Sequence, residues 1–303
     1  MTQARVTRSS VVAGLALVLL LPLGWLLAHL PMGAGLWLGR RLGNLGWWVL
    51  PRRRAVTLDN LARAFGNELR PSEFESLARR SFEHLGMNLA EVCVLLFRPR
   101  AAVVARLELA GHEHVEKAAA EGKGVLLLSA HLGNWELFPS AQALTAFGLS
   151  VVVRPLDEPL LRRLAERLRR RSGVELIAKQ QALREVLEAL RRGRLVGVLL
   201  DQNSTRAEGV FVPFFGVPAS TSKGLAVISL RTGAPVVPVF IRRIGGGRHR
   251  VEFDAPVPRP DDGEVLSYTA AFNRAIESGI RRAPEQWFWM HERWRTRPRL
   301  ETS

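Results

Sequence analysis

From about residue 112 onward, short apolar runs alternate with longer amphipathic stretches, and this alternation decides what the chain can fold into. Apolar runs at 124–130, 150–153, 174–178 and 195–200, then 236–241, read as strands buried on both faces. Between and after them, 134–147, 157–171, 180–192, 222–232 and 264–282 carry the helical period. Strands that recur with a helix between them pair in parallel, because the helix returns the chain to the starting edge. The expected fold is therefore α/β, a mostly parallel central sheet flanked by helices. A further strand is expected at 249–254, with the last strands pairing antiparallel. Upstream, Ser72 and Glu75 after Pro71 read as a capping box. Phe74, Leu77, Ala78, Phe82, Leu85, Leu89 and Val92 then follow at helical spacing.

The N-terminal region has a different character. From Ser9 to Gly39, 31 residues carry no Asp, Glu, Lys or Arg, and Val11–Leu30 alone supplies 20, enough to span a bilayer core. An N-terminal transmembrane or membrane-interface helix is expected, with a cleaved leader after the basic Arg5 and Arg8 as the rival reading. Arginines at 40, 41 and 52–54 outnumber those ahead of the run, which puts the main body on the cytoplasmic side. Residues 35–54 read either as an interfacial amphipathic segment or as an ordinary buried helix. The chain divides on this reading into 1–54, an anchor and interfacial segment, and 55–303, the main domain, helical over 55–110 and α/β over 111–303.

The formal net charge is +15, which points to anionic partners. The arginines of 157–171 form either a solvated helix face or a docking patch for membrane phosphates or an acidic carrier. No zinc-finger or RNA-binding signature accompanies the charge, so nucleic acid is not expected. The one cysteine, Cys93, sits in EVCVLLF and excludes an intrachain disulfide. No compact His/Cys cluster suggests a metal.

In a parallel sheet, the loops after the strands' carboxyl ends share one edge. His131, Arg154, Lys179 and Asp201 each follow such a strand, so four ionisable residues gather at one rim. In HLGNWE, residues 131–136, a continuous helix would separate His131 and Glu136 by about 140°. Gly133 permits a turn and Asn134 is a good N-cap, so a strand–turn–helix can bring the carboxylate to the imidazole. The histidine would then act as general base with its tautomer fixed, beside backbone N–H groups that could hold an oxyanion. Two polar residues stranded in a loop would show the same spacing.

Taken with DQN (201–203), VPFFGVPASTSKG (212–224), GAPVVPVF (233–240) and EQWFWMHERWRTRP (285–298), HLGNWE resembles the bacterial lipid A biosynthesis acyltransferases. These belong to the wider lysophospholipid acyltransferase superfamily, and the likeness runs from the N-terminal segment to about Pro298. It implies a cytoplasm-facing inner-membrane enzyme that moves a fatty acyl chain from acyl carrier protein to a glycolipid hydroxyl. No cofactor, metal or covalent acyl-enzyme is implied. His131 and Glu136 match the H-x4-D/E dyad, His131 as base and Glu136 as its orienting partner. Arg154 stands where a basic substrate-contacting residue is common. Asp201 stands where the superfamily has a Glu in a Pro-Glu-Gly-type sequence, a pattern from which LLDQN departs.

Asn134, Lys179, Thr221 and Lys223 are further substrate-binding candidates, the last two as a phosphate contact at a helix start or, for Thr221, a simple cap. Phe211, Phe214 and Phe215 are candidates for an acyl groove, with core packing as the alternative. The tryptophans and arginines of 287–297 read either as membrane-interface residues or as a segment closing the domain against the sheet. Ser129 lacks a G-x-S-x-G elbow, so a serine hydrolase is disfavoured.

Overall fold

The computed structural model describes residues 21–153, 159–178 and 182–299. Its order is α1 (residues 21–29), α2 (Met32–Val49), α3 (Pro51–Phe65), α4 (Pro71–Phe97), α5 (Arg100–Val104), β1 (Leu107–Ala110) and α6 (His112–Ala119). Next come β2 (Val125–Ser129), a 3₁₀ segment (Phe138–Leu144), β3 (Leu149–Val153), α7 (Pro159–Arg171), β4 (Glu175–Ala178), α8 (Ala182–Arg191) and β5 (Leu195–Leu199). The chain continues through β6 (Gly209–Phe214), β7 (Val217–Ser222), α9 (Gly224–Thr232), β8 (Val236–Gly245), β9 (Arg248–Phe253) and α10 (Val265–Arg282).

Seven strands form one sheet in the order β1-β9-β8-β2-β5-β3-β4. Every neighbouring pair is parallel except β8 with β9, which is antiparallel. β2 lies in the middle, and all five of its residues are buried. Leu126 and Leu128 join the core layer that includes α10, while Val125 and Leu127 join the opposite layer. Two-sided burial is why VLLLS is apolar without alternation. Each leucine fully removed from water contributes about 2 kcal/mol.

Several expectations change. β1 and the separate β6–β7 hairpin were not legible as strands. The hairpin turns at Phe215 and Gly216, both at positive φ (50° and 74°), the two-residue geometry that suits strand twist. The helix expected at 134–147 is instead an irregular turn followed by the 3₁₀ segment. Pro139 lacks the N–H that a helix begun at 134 would use there, and it stands instead in the first turn of the 3₁₀ segment, where none is needed. α4 starts at Pro71 with Arg70 as N-cap, and the capping box is closed by Glu73, whose carboxylate accepts the Arg70 backbone N–H at 2.7 Å; the Ser72–Glu75 reading is thus displaced.

At the N-terminal side, α2 packs on α4 through small residues. Gly39 and Gly43 on α2 face Gly86 on α4 so closely that a Cβ on any of the three would collide with opposing backbone. The opposite face of α2 is exposed and apolar: Trp37, Leu45 and Trp48 are 55%, 56% and 65% accessible. No helix among the described residues is long and apolar enough to cross a membrane, and the run at 11–30 lies partly outside them.

Candidate active site

Adjacent strands β2 and β5 run parallel with Ser129 opposite Leu199, and the Leu200 N–H donates to the Ser129 carbonyl at 3.0 Å. Two residues beyond each strand stand His131 and Asp201. Matched register therefore delivers both to one point on the carboxyl rim, although they are 70 positions apart in sequence.

The Asp201 carboxylate holds the histidine twice. Oδ1 is 2.8 Å from His131 Nδ1, and Oδ2 accepts the His131 backbone N–H at 2.9 Å. Trp287 Nε1–H donates to the same Oδ2 at 2.7 Å. Asp201 is 2% exposed and His131 17%. Burial alone would raise the Asp201 pKa, but the His131 charge and these donors hold it at about 2. Burial would likewise lower the His131 pKa, yet the Asp201 charge and hydrogen bond outweigh it, with a smaller push from Glu136, and the net shift is upward. With Nδ1–H donated to Asp201, the neutral ring presents its Nε2 lone pair outward. There Gln202, an exposed residue, places its side-chain amide nitrogen 3.2 Å away. Trp135 stands edge-on to the imidazole with centroids 5.1 Å apart, and Phe288 lies 6.4 Å away; both are half-buried.

Glu136 takes a different place from the one expected. Both its oxygens accept from Arg169 of α7, at 2.7 and 3.1 Å, and the hydrogen-bonding partner of His131 is Asp201. The physical reason is the missing helix at 134. Without that first turn, Glu136 faces α7 and its arginine, while strand register puts Asp201 under the imidazole. The expected backbone N–H cradle is also altered. The N–H groups of His131, Leu132, Gly133 and Leu137 already donate to Asp201, Ala130, Gln286 and Asn134 respectively.

A family described as bacterial lipid A biosynthesis acyltransferase matches residues 5–296 of this chain. The chain belongs to that family. Lipid A biosynthesis lauroyltransferase of Escherichia coli (strain K12) is 32% identical over 278 residues, covering 90% of this chain and 89% of that protein. Lipid A biosynthesis palmitoleoyltransferase of the same strain is 30% identical, covering 92% and 90%. A phosphatidylinositol mannoside acyltransferase of Mycobacterium tuberculosis (strain CDC 1551 / Oshkosh) is 29% identical over 244 residues, covering 78% of this chain and 75% of that protein.

In this acyltransferase, the other candidate residues fall into separate settings. Asn134 is 1% exposed and donates to the Asn88 carbonyl and to Glu91 of α4, so it anchors the HLGN turn instead of capping a helix. Thr221 is fully buried in β7 and accepts from Arg293 at 2.6 Å, not at a helix start. Lys223 is exposed at the start of α9. Phe214 and Phe215 are core residues against Trp287, Trp294, Phe65 and Trp289, whereas Phe211 is half-buried beside Arg206. Arg154 and Lys179 lie outside the described residues.

Residues 287–296 close the domain. Trp287, Trp289, Arg293 and Trp294 are buried, and the segment clasps DQN residue by residue. Trp287 donates to Asp201, Arg293 makes a long 3.5 Å contact to the Gln202 carbonyl, and His291 Nε2 accepts the Asn203 N–H at 2.9 Å. Burial lowers the His291 pKa to about 4, which keeps that acceptor neutral. Burial also lowers Arg293, to about 10, so it stays charged at neutral pH. The sequence singled out both WFWMHERW and DQN but carried no sign that one grips the other.

Proposed function

We propose that this chain transfers a fatty acyl group from an acyl carrier protein thioester to a hydroxyl of a lipid A-type glycolipid precursor. The observation that supports this reading best is the His131 imidazole, held at Nδ1 by a buried carboxylate while Nε2 faces an exposed rim. Such a ring takes the hydroxyl proton as the oxygen attacks the thioester carbon, then returns it to the departing thiolate. Asp201 fixes the tautomer and stabilises the imidazolium. Glu136, paired with Arg169, ties α7 to the site, and its charge adds to that of Asp201 at the ring. Trp135 and Phe288 offer the hydrocarbon chain an apolar wall beside the base. The acidic carrier docks, on this reading, against the arginines of α7, of which Arg163, Arg167, Arg170 and Arg171 are exposed. A phosphatidylinositol mannoside acceptor is the second reading, favoured by the mycobacterial relative.

The test uses full-length protein in membranes, labelled acyl carrier protein thioesters and a panel of acceptors. Acyl product on a lipid A precursor is the expected result; product only on another glycolipid selects the second reading. Binding without transfer, or free fatty acid as the sole product, overturns the transferase reading.

The site is proposed to work at the cytoplasmic face of the inner membrane, with the exposed apolar face of α2 in the lipid interface. Trp37 and Trp48 on that face, with Arg40 and Arg41 beside them, suit the headgroup boundary. Vesicles of brominated phospholipid should quench the fluorescence of the full chain, and a Trp37→Phe/Trp48→Phe variant should lose much of that quenching. Equal quenching in the two proteins would remove α2 from the bilayer.

A further inference from the structure

We propose that Gln202 is a catalytic residue whose side-chain amide donates the hydrogen bond that stabilises the oxyanion formed during acyl transfer. The inference rests on the reading of His131 as base and goes beyond it, since neither the base nor its carboxylate can hold a developing negative charge.

Acyl transfer needs such a donor. When the hydroxyl oxygen bonds to the thioester carbon and its proton passes to His131 Nε2, the carbonyl oxygen becomes an anion. It reverts to a carbonyl only as the C–S bond breaks and the thiolate takes that proton. A preorganised N–H at this oxygen is commonly the largest single catalytic contribution. In the turn after β2, the N–H groups of His131, Leu132 and Gly133 are committed to other acceptors.

Gln202 meets the requirement from the other side. Its amide nitrogen lies 3.2 Å from His131 Nε2, the atom at which the alcohol must sit, and the residue is exposed to whatever enters the rim. Its polarity follows from the neutral ring, the form that acts as base. Asp201 claims Nδ1–H, so Nε2 is an acceptor and Gln202 must present N–H to it. The backbone that carries the amide is pinned on both sides. Asp201 before it is buried among three donor contacts, and Asn203 after it exchanges hydrogen bonds with Thr296 at 3.0 Å in both directions and donates its N–H to His291. An exposed side chain on so rigid a support is suited to a task at the site. Without substrate the amide rests on the base's lone pair. An arriving hydroxyl takes that lone pair, and the displaced N–H is then beside the carbon under attack.

The experiment compares the full chain with Gln202→Ala and Gln202→Glu in the membrane transfer assay, with His131→Ala alongside. Gln202→Ala should lower kcat by roughly a hundredfold with little change in KM for either substrate. It should also move the acid limb of the pH profile to higher pH, because a donor favouring neutral imidazole is gone. Gln202→Glu should be slower still, since it sets a carboxylate against the oxyanion. Thermal melting should be unchanged in both. A Gln202→Ala kcat within about threefold of wild type, or a loss confined to KM, overturns the proposal while an inactive His131→Ala leaves the base reading standing. Transfer retained by His131→Ala overturns both.

Discussion

Alanine at His131 should lower acyl transfer by about 10⁴-fold, and asparagine at Asp201 should cost roughly 10²- to 10⁴-fold without unfolding the protein. The Asp201 effect follows from the hydrogen-bond directions. Oδ2 receives two N–H donors, from the His131 backbone and Trp287, so the carbonyl oxygen of an introduced asparagine is drawn to that side. Its NH₂ then faces His131 Nδ1 and donates to it. The ring must accept there, its proton moves to Nε2, and the lone pair that should take the substrate proton is lost. The combined His131→Ala/Asp201→Asn variant should be no slower than His131→Ala, because the two act as one unit. The pH dependence provides a second readout. For the proposed general base the neutral imidazole is the active form, and its folded pKa is raised, so activity should fall with acidification through a pKa above the ordinary 6.5. Residual activity in Asp201→Asn should show that limb at lower pH, the charge that raised it being absent. A limb that stays in place, with kcat within about tenfold of wild type, would remove Asp201 from the mechanism.

How far the sequence exposed this arrangement depended on the range of the interactions. The sheet was legible because two-sided burial leaves continuous apolar runs, as in VLLLS and LVGVL. Both members of the central pair were legible as rim residues, since each follows a strand. Their pairing was not, because it depends on β2 and β5 being neighbours in register, and strand order leaves no local mark. Proximity in the string favoured Glu136 instead, and that inference needed a helix that Pro139 does not allow. The hairpin was hidden because Phe215 adopts a positive φ that a bulky residue seldom takes. Its N–H is held by Glu277 at 2.8 Å and its ring by Phe65 and Trp289, contacts 62, 150 and 74 positions away. The clasp of 287–296 on DQN was hidden for the same reason: its partners lie 86 to 93 positions apart.

Glu91→Ala should be the most destabilising single substitution outside the rim, by about 3–5 kcal/mol. Glu91 projects from α4 with 2% exposure and accepts from Arg243 Nε and Nη2 at 3.1 and 2.7 Å, His249 Nε2 at 2.9 Å and Asn134 at 2.9 Å. Burial works against its ionised form, yet these partners hold its pKa at about 2. One carboxylate thus joins α4, β8, β9 and the HLGN turn. Asn88, one helical turn earlier, adds a bond from its amide to the Gly133 carbonyl at 2.6 Å. Gly133 itself admits no side chain, since its φ is 59° and a Cβ would collide with the Ile241 carbonyl. Alanine would strand the Arg243 guanidinium, 5% exposed, without its carboxylate. Against a typical total stability of about 5–15 kcal/mol, the melting temperature should drop on the order of 10 °C. Two controls separate charge from packing. Glu91→Leu with Arg243→Met removes both ions and should recover much of the loss. In wild type, the folded carboxyl is depressed from 4.5, so its contribution is complete above that pH and disappears as pH falls towards 2. His84 acts in the same direction. Burial and the Arg243 charge lower it from 6.5 to about 3, and the unfolded chain takes up its proton first as pH falls. Glu91→Ala should therefore flatten the stability curve below pH 4.5, and an unchanged slope there, or a loss under about 1 kcal/mol, would show that the turn carrying His131 is held by something other than this ion cluster.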